Sequence, residues 1–281
     1  MDYSKYACLL VDIQEGIATV TLNRPEARNA LSSEVLRLLP QRLKEAEAHP
    51  DVDVIVLTGT DPAFCAGLDL KELGSTAGNL GATGADGSPN ADGVRGPFPP
   101  LTKPLIGAVN GVAITGGFEL ALNCDFLVAS ERAKFGDTHT RVGVMPGWGL
   151  TVLLSQAVGV RRAREMSYTG NFMGADEALH FGLVNHVVPH DDLMSFTRRI
   201  ALDIIGNDQA GVRCIRTTYA DINRDLLKSP MGQALISRIP MQRVGQMPEL
   251  DGPLLLLASD ASSFMTGAVI PVDGGHVVNT L

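Results

Sequence analysis

The sequence has no apolar run approaching the roughly 20 residues that cross a bilayer, so no ordinary membrane-spanning helix is expected. Its first residues, MDYSKYACLLVDIQEG, hold too short an apolar stretch for a secretory signal, and a cytoplasmic protein is expected. Positive charge is in deficit, with 23 Lys and Arg against 31 Asp and Glu and a net charge of −8. That balance argues against nucleic acid or an anionic membrane surface as a partner, although it leaves room for a small basic pocket. Cysteine is scarce. Cys8, Cys65, Cys124 and Cys214 form no CxxC pair and sit in apolar surroundings. They read as reduced core thiols rather than a disulfide frame or a zinc site. The six histidines are scattered without ligand spacing, so no metal is expected. What remains is a chain of 281 residues, 45% hydrophobic and 19% charged, that can bury one large core or two smaller ones.

Residues 9–13 and 17–22 are short β-rich runs joined at Gln14-Glu15-Gly16, a hairpin pattern. Ser32 and Ser33 can cap a helix carrying Leu36, Leu39, Leu43 and Ala46. Residues 52–57 and 105–109 read as buried strands, and 126–129 as another. Residues 74–100 are rich in small and polar residues and read as a long loop. Within it, residues 78–84 resemble a phosphate loop only superficially, because they follow no strand. Residues 135–149 read as irregular. Helices are expected over 150–158, 174–181, 193–205 and 210–227, with Asp191 or Asp192 capping the third, and a strand over 183–188. The repeated order of strand, loop and helix points to an α/β fold built from a coil of β-β-α turns or a parallel sheet.

The stretch from Asn110 to Asp125 stands out. An apolar strand leads into Gly116-Gly117, and Phe118, Leu120, Ala121, Leu122 and Cys124 follow as a mostly buried helix. Glycines at a helix start let another group approach the backbone closely. The first N–H groups of the helix lack internal partners and lie at its positive end, a place for an oxygen carrying negative charge. Glu119 sits in that first turn, so a base would lie beside an oxyanion site. The same pattern also suits a helix that merely packs tightly and begins with an acid.

Three segments together resemble the crotonase superfamily of enoyl-CoA hydratases and isomerases. They are Arg24-Pro25 through Asn29-Ala30-Leu31, FCAGLDL at 64–70 and NGVAITGGFELALNCD at 110–125. FGDTHTRVGVMPG and the Thr169-Gly170 pair extend the match to about residue 230. The resemblance implies a crotonase-like spiral of β-β-α turns followed by a helical region. It also implies an acyl-CoA thioester as substrate, no cofactor besides that coenzyme A, and homotrimers or hexamers. By position, the backbone N–H groups of Leu68 and Gly116 would form the oxyanion hole. Ala66, Gly67, Leu68, Asp69 and Leu70 would lie along the coenzyme, and Arg24 and Arg28 are candidates for its phosphates. Family hydratases hold a water between two glutamates. The first aligns with Glu119, and the second falls on His139, so one of the pair is replaced. A histidine there can still move a proton or orient water near neutral pH, or it can be a satisfied loop residue. Asp137 is a further candidate, whose side chain also suits a turn cap.

Residues 239–275 resemble something else, the last helix and strand of short-chain dehydrogenases, in LLLLASDASSFMTG and VDGG. The glycine-rich dinucleotide loop and the Tyr-x-x-x-Lys pair of that family are missing, so no nicotinamide chemistry is expected. Residues 1–192 are therefore read as a core with the CoA and active site, 193–238 as a helical region and 239–281 as a dehydrogenase-like helix-strand tail. The expected activity is hydration of a 2-enoyl-CoA. Isomerisation through a single base and a CoA-ester-binding protein with little catalysis are the alternatives.

Overall fold

The computed structural model describes residues 8–69, Glu72, 96–220 and Ser237. The expected tail over 239–275, Leu70 and nearly all of the 74–100 loop lie outside the described residues. The chain divides into two compact units, Met1–Arg216 and Thr217–Leu281, and the first contains all the elements that build the site.

β1 (Leu9–Gln14) and β2 (Ile17–Leu22) form the expected hairpin, with Glu15 and Gly16 both at positive φ in its turn. α1 (Ser33–Ala48) begins where the serines predict, and the Ser32 hydroxyl accepts the Val35 N–H. Its buried residues, Val35, Leu38, Leu39, Leu43 and Ala46, recur at helical spacing. Three strand pairs follow. β3 (Val54–Gly59) leads to β4 (Ala63–Cys65), and β5 (Leu105–Val109) to β6 (Val112–Ile114). After α2 (Gly116–Leu122), β7 (Phe126–Ser130) leads to β8 (Lys134–Gly136). The chain continues through α3 (His139–Val142), α4 (Leu150–Val158), α5 (Val160–Thr169) and β9 (Phe172–Gly174). It then passes through α6 (Ala175–His180), β10 (His186–Val188), α7 (Leu193–Ile205) and α8 (Gln209–Ala220).

The first strand of each pair joins a six-stranded sheet ordered β1-β2-β3-β5-β7-β10, parallel from β2 onward. The second joins a smaller sheet ordered β4-β6-β8-β9. This is the coil of β-β-α turns. The central strands β3, β5 and β7 are covered on both faces, which is why they read as continuous apolar runs. Ile55, Leu57, Leu105, Val109 and Leu127 join the core that includes α1 and α2. Val54, Val56, Ile106, Ala108 and Val128 face a second cluster with Leu193 and Ala201 of α7.

Several expectations need correction. α5 is a helix that the sequence does not announce, because only Ala163 and Met166 of it are buried. Residues 135–149 are not wholly irregular, since they hold β8 and α3. The strand expected over 183–188 is confined to His186–Val188, because Leu183 N–H and Val184 N–H turn back to the Ala178 carbonyl. Asp192 precedes α7 in a helical conformation, without a side-chain cap, as the chain arrives through a 3-10 turn at His190–Asp192. Cys214 is exposed, so one of the four thiols is not a core residue, while Cys124 is partly buried and packs against the core.

Candidate active site

The site grows from two loops brought into contact by the small sheet. β4 pairs with β6 and sets Cys65 beside Ala113. After β6, Thr115 takes φ 48° and ψ −124°, a conformation that costs a side-chain-bearing residue energy and persists where neighbours enforce it. Its N–H donates to the Gly136 carbonyl of β8 at 3.1 Å. The two loops then touch at glycines. A Cβ on Gly67 would lie 2.0 Å from the Thr115 hydroxyl oxygen, and one on Gly117 would lie 2.2 Å from the Cys65 carbonyl oxygen. Glycine is required at both places by space, and at Gly67 also by its φ of +83°.

Leu68 is held from the other side. It forms an isolated bridge with Leu31, in which Leu31 N–H donates to the Gly67 carbonyl at 2.8 Å and Asp69 N–H to the Leu31 carbonyl at 3.1 Å. The bonds on either side are thereby taken, and the Leu68 N–H faces away from Leu31. Gly116, the first residue of α2, supplies an N–H with no partner inside the helix. A Cβ on Gly116 would lie 3.9 Å from the Gly67 Cα and 3.5 Å from the Trp148 ring.

Arg24 and Asp69 come together. The Arg24 guanidinium donates to the Ala30 carbonyl at 2.7 Å and to an Asp69 carboxylate oxygen at 2.9 Å. Arg28 is exposed, and its carbonyl accepts the Ala66 N–H. Beneath them lies Asn29, buried at positive φ, whose amide donates to the Thr60 and Ala63 carbonyls and accepts the Arg24 N–H. Sequence reasoning placed Asn29 in a family motif but gave it no role. A lone polar residue between two turns carries no readable periodicity.

On the other wall, Glu119 is 3% exposed. One carboxylate oxygen accepts the Trp148 N–H at 2.7 Å and the Leu150 N–H at 3.4 Å, at the start of α4. The other lies 3.5 Å from Nε2 of His139. Nδ1 of His139 lies 2.6 Å from Asp137, whose same oxygen accepts the His139 backbone N–H at 3.3 Å. The imidazole thus stands between two buried carboxylates. Burial alone would pull its pKa down, but hydrogen bonds to Asp137 and Glu119 push it up to about 9. Burial works against the Asp137 charge as well, yet hydrogen bonds from His139 and Ser167 hold its carboxyl below the ordinary range. Asn123 secures this wall by donating to the carbonyls of both Glu119 and Trp148. Chemically, a carboxylate and an imidazole face each other, and the carboxylate stands on a helix whose first residue, Gly116, leaves its N–H without an intrahelical partner. Among the described residues there is no metal-binding group of His, Cys, Asp or Glu, and no helix long and apolar enough to cross a membrane.

The model of the enoyl-CoA hydratase/isomerase family matches residues 12–230. A second family, enoyl-(acyl carrier protein) reductase, matches residues 191–277, which include the dehydrogenase-like tail. An Arabidopsis thaliana protein named "Probable enoyl-CoA hydratase 1, peroxisomal" is 42% identical over 220 residues, covering 78% of this chain and 79% of the relative. The crystal structure of an enoyl-CoA hydratase from Mycobacterium smegmatis superposes with a TM-score of 0.68 at 50% identity, over 79% of this chain and 90% of that one. A monofunctional enoyl-CoA isomerase of M. smegmatis superposes at 0.63 with 32% identity, over 79% and 97%.

Proposed function

Since the chain belongs to the enoyl-CoA hydratase/isomerase family, we propose that it is a hydratase of 2-enoyl-CoA thioesters working through Glu119 and His139. The backbone N–H groups of Leu68 and Gly116 hold the thioester oxygen as negative charge develops on it. Each such donor contributes about 3–4 kcal/mol to the transition state. Glu119 and His139 lie together beside that oxygen and move the protons that hydration requires. Ala66, Gly67, Asp69 and Leu70 line the path of the coenzyme, with Arg24 and Arg28 toward its phosphates. Coenzyme A enters as part of the substrate, and no other cofactor is used. The protein works in the cytoplasm as a homotrimer or hexamer, with its site in residues 1–192.

The observation that carries this reading is the division of duties at Glu119. One oxygen is fastened by backbone N–H groups, and the other faces the histidine. A second reading, double-bond isomerisation, is supported by the replacement of the family's second glutamate at position 139, since isomerisation needs only one base. Following the 2-enoyl absorbance with crotonyl-CoA and with a 3-enoyl-CoA separates the two. The hydratase reading expects loss of absorbance from the first, and a fall of at least ~100-fold in Glu119→Gln. Absence of crotonyl-CoA turnover, together with rapid conversion of the 3-enoyl ester, would replace it with the isomerase.

A further inference from the structure

We propose that Asp137 is a positioning residue that fixes His139 as the acid of the hydration pair, leaving Glu119 as the base. The inference rests on the hydratase reading and adds to it the part played by Asp137. Its ground is geometric. A neutral imidazole has one donor nitrogen and one acceptor nitrogen. Here Nδ1 meets Asp137 at 2.6 Å, Nε2 faces Glu119 at 3.5 Å, and the ring is buried. A neutral ring would turn a lone pair toward one of the two carboxylates. Only the imidazolium presents N–H on both sides. The charged groups facing it are Glu119 from α2 and Asp137 from the turn before α3, while α5 contributes the neutral Ser167 to Asp137. The raised pKa of the ring agrees with this arrangement.

The step balances without any added reactant. Glu119 takes a proton from water as the water oxygen bonds to C3, and the π electrons move onto the thioester oxygen. The resulting enolate takes its C2 proton from Nε2 of His139. Product leaves with Glu119 protonated and His139 neutral. The proton then passes from Glu119 to Nε2 across their contact, which restores the starting state. Asp137 touches no reacting atom. It holds the Nδ1 proton and aims Nε2.

Asp137→Asn keeps the side-chain shape and removes the charge. With crotonyl-CoA, kcat is expected to fall about 10–100-fold. The alkaline limb of kcat/KM, expected near pH 9 in the parent protein, should move down by more than about one pH unit. A fall in kcat with an unmoved alkaline limb would mean Asp137 is merely structural, and would overturn the proposal. Nitrogen NMR of histidine-labelled parent protein gives a readout independent of turnover and of the variant's folding. Both His139 ring nitrogens should be protonated at neutral pH. A neutral His139 overturns the assignment whether or not enoyl-CoA is hydrated. A His139 that is cationic in the parent and neutral in Asp137→Asn, in a protein without hydratase turnover, upholds the positioning by Asp137 and counts against the hydratase reading alone.

Discussion

Replacing Gly117 by alanine sets helix propensity against space. In a helix alanine is favoured over glycine by up to about 1 kcal/mol, and Gly117 is the second residue of α2. By propensity alone the variant should be more stable. The structure says otherwise. The new Cβ would stand 2.2 Å from the Cys65 carbonyl oxygen and 2.7 Å from its carbonyl carbon. These are backbone atoms of β4, which is held by pairing with β6 and cannot swing aside like a side-chain tip. To reach ordinary contact, helix and strand must separate by about an ångström. Such overpacking costs ~1–3 kcal/mol, and rigid backbone places this case at the upper end, so a net loss of about 2 kcal/mol is expected after the propensity gain. For a unit of this size that corresponds to a Tm lower by about 4–8 °C. The same displacement moves the FCAGLD loop, and with it the Leu68 N–H, away from the Gly116 N–H. On the proposed oxyanion role of these groups, loss of one donor lowers kcat by about 10²–10³. Gly116→Ala is the control. Its Cβ meets the Leu31 methyl at 3.2 Å, the Trp148 ring at 3.5 Å and the Gly67 Cα at an ordinary 3.9 Å, so its Tm should stay within ~2 °C of the parent. Thermal unfolding and crotonyl-CoA hydration measured on both variants decide the matter. A Gly117→Ala protein with undiminished Tm and kcat would refute the claim that this close approach sets the donor geometry.

Arg24→Ala should cost about 1–3 kcal/mol, because it removes the donors to Ala30 and Asp69. If Arg24 acts by holding the loop, kcat falls alike with crotonyl-CoA and with a truncated thioester lacking the nucleotide. A rise in KM confined to the full coenzyme ester would show that it meets the phosphates instead. Stability should also depend on pH through the Asp137–His139 pair. The fold holds the His139 proton more tightly than the unfolded chain does. That contribution is therefore complete below the ordinary 6.5 and is lost as pH rises through about 9. Asp137 is held below its ordinary 3.8, so its contribution is present above that value and is lost as pH falls further. Denaturant unfolding should show His139→Gln less stable than the parent by up to roughly 3 kcal/mol near pH 6, with the gap closing by about pH 9.5. A gap independent of pH would rule out a bound proton as its source.

The long elements were legible because burial on both faces leaves unbroken apolar runs, as in Leu105–Val109, and because Ser32 is a recognisable helix cap. The three-residue strands of the small sheet were not legible, since a strand that short shows no alternation. α5 hid because its sequence, VRRAREMSYT, is mostly charged or polar and buries only two residues. At the site, the glycine pair and Glu119 were readable from local chemistry, and the family motif named position 139. What the sequence did not disclose were the tethers. Asn29 clamps carbonyls from Thr60 and Ala63, and Trp148 serves Glu119 through its backbone. Backbone donors carry no residue signature, so nothing in the letters marks them.

The two walls of the site have different outer anchors. The donor loop hangs from Leu31, Arg24, Asn29 and the glycine contacts. The acid–base wall is fastened by Asn123, the Trp148 amide and Ser167. Yet both meet at α2, which carries Gly116 at its first residue and Glu119 one turn on. Trp148 touches both walls, with its ring near Gly116 and its amide on Glu119. In engineering terms the pocket has one keystone and two arches. A shift of α2 would carry the Gly116 N–H and the Glu119 carboxylate together, whereas a change at position 139, on α3, leaves the spacing between those two as it was.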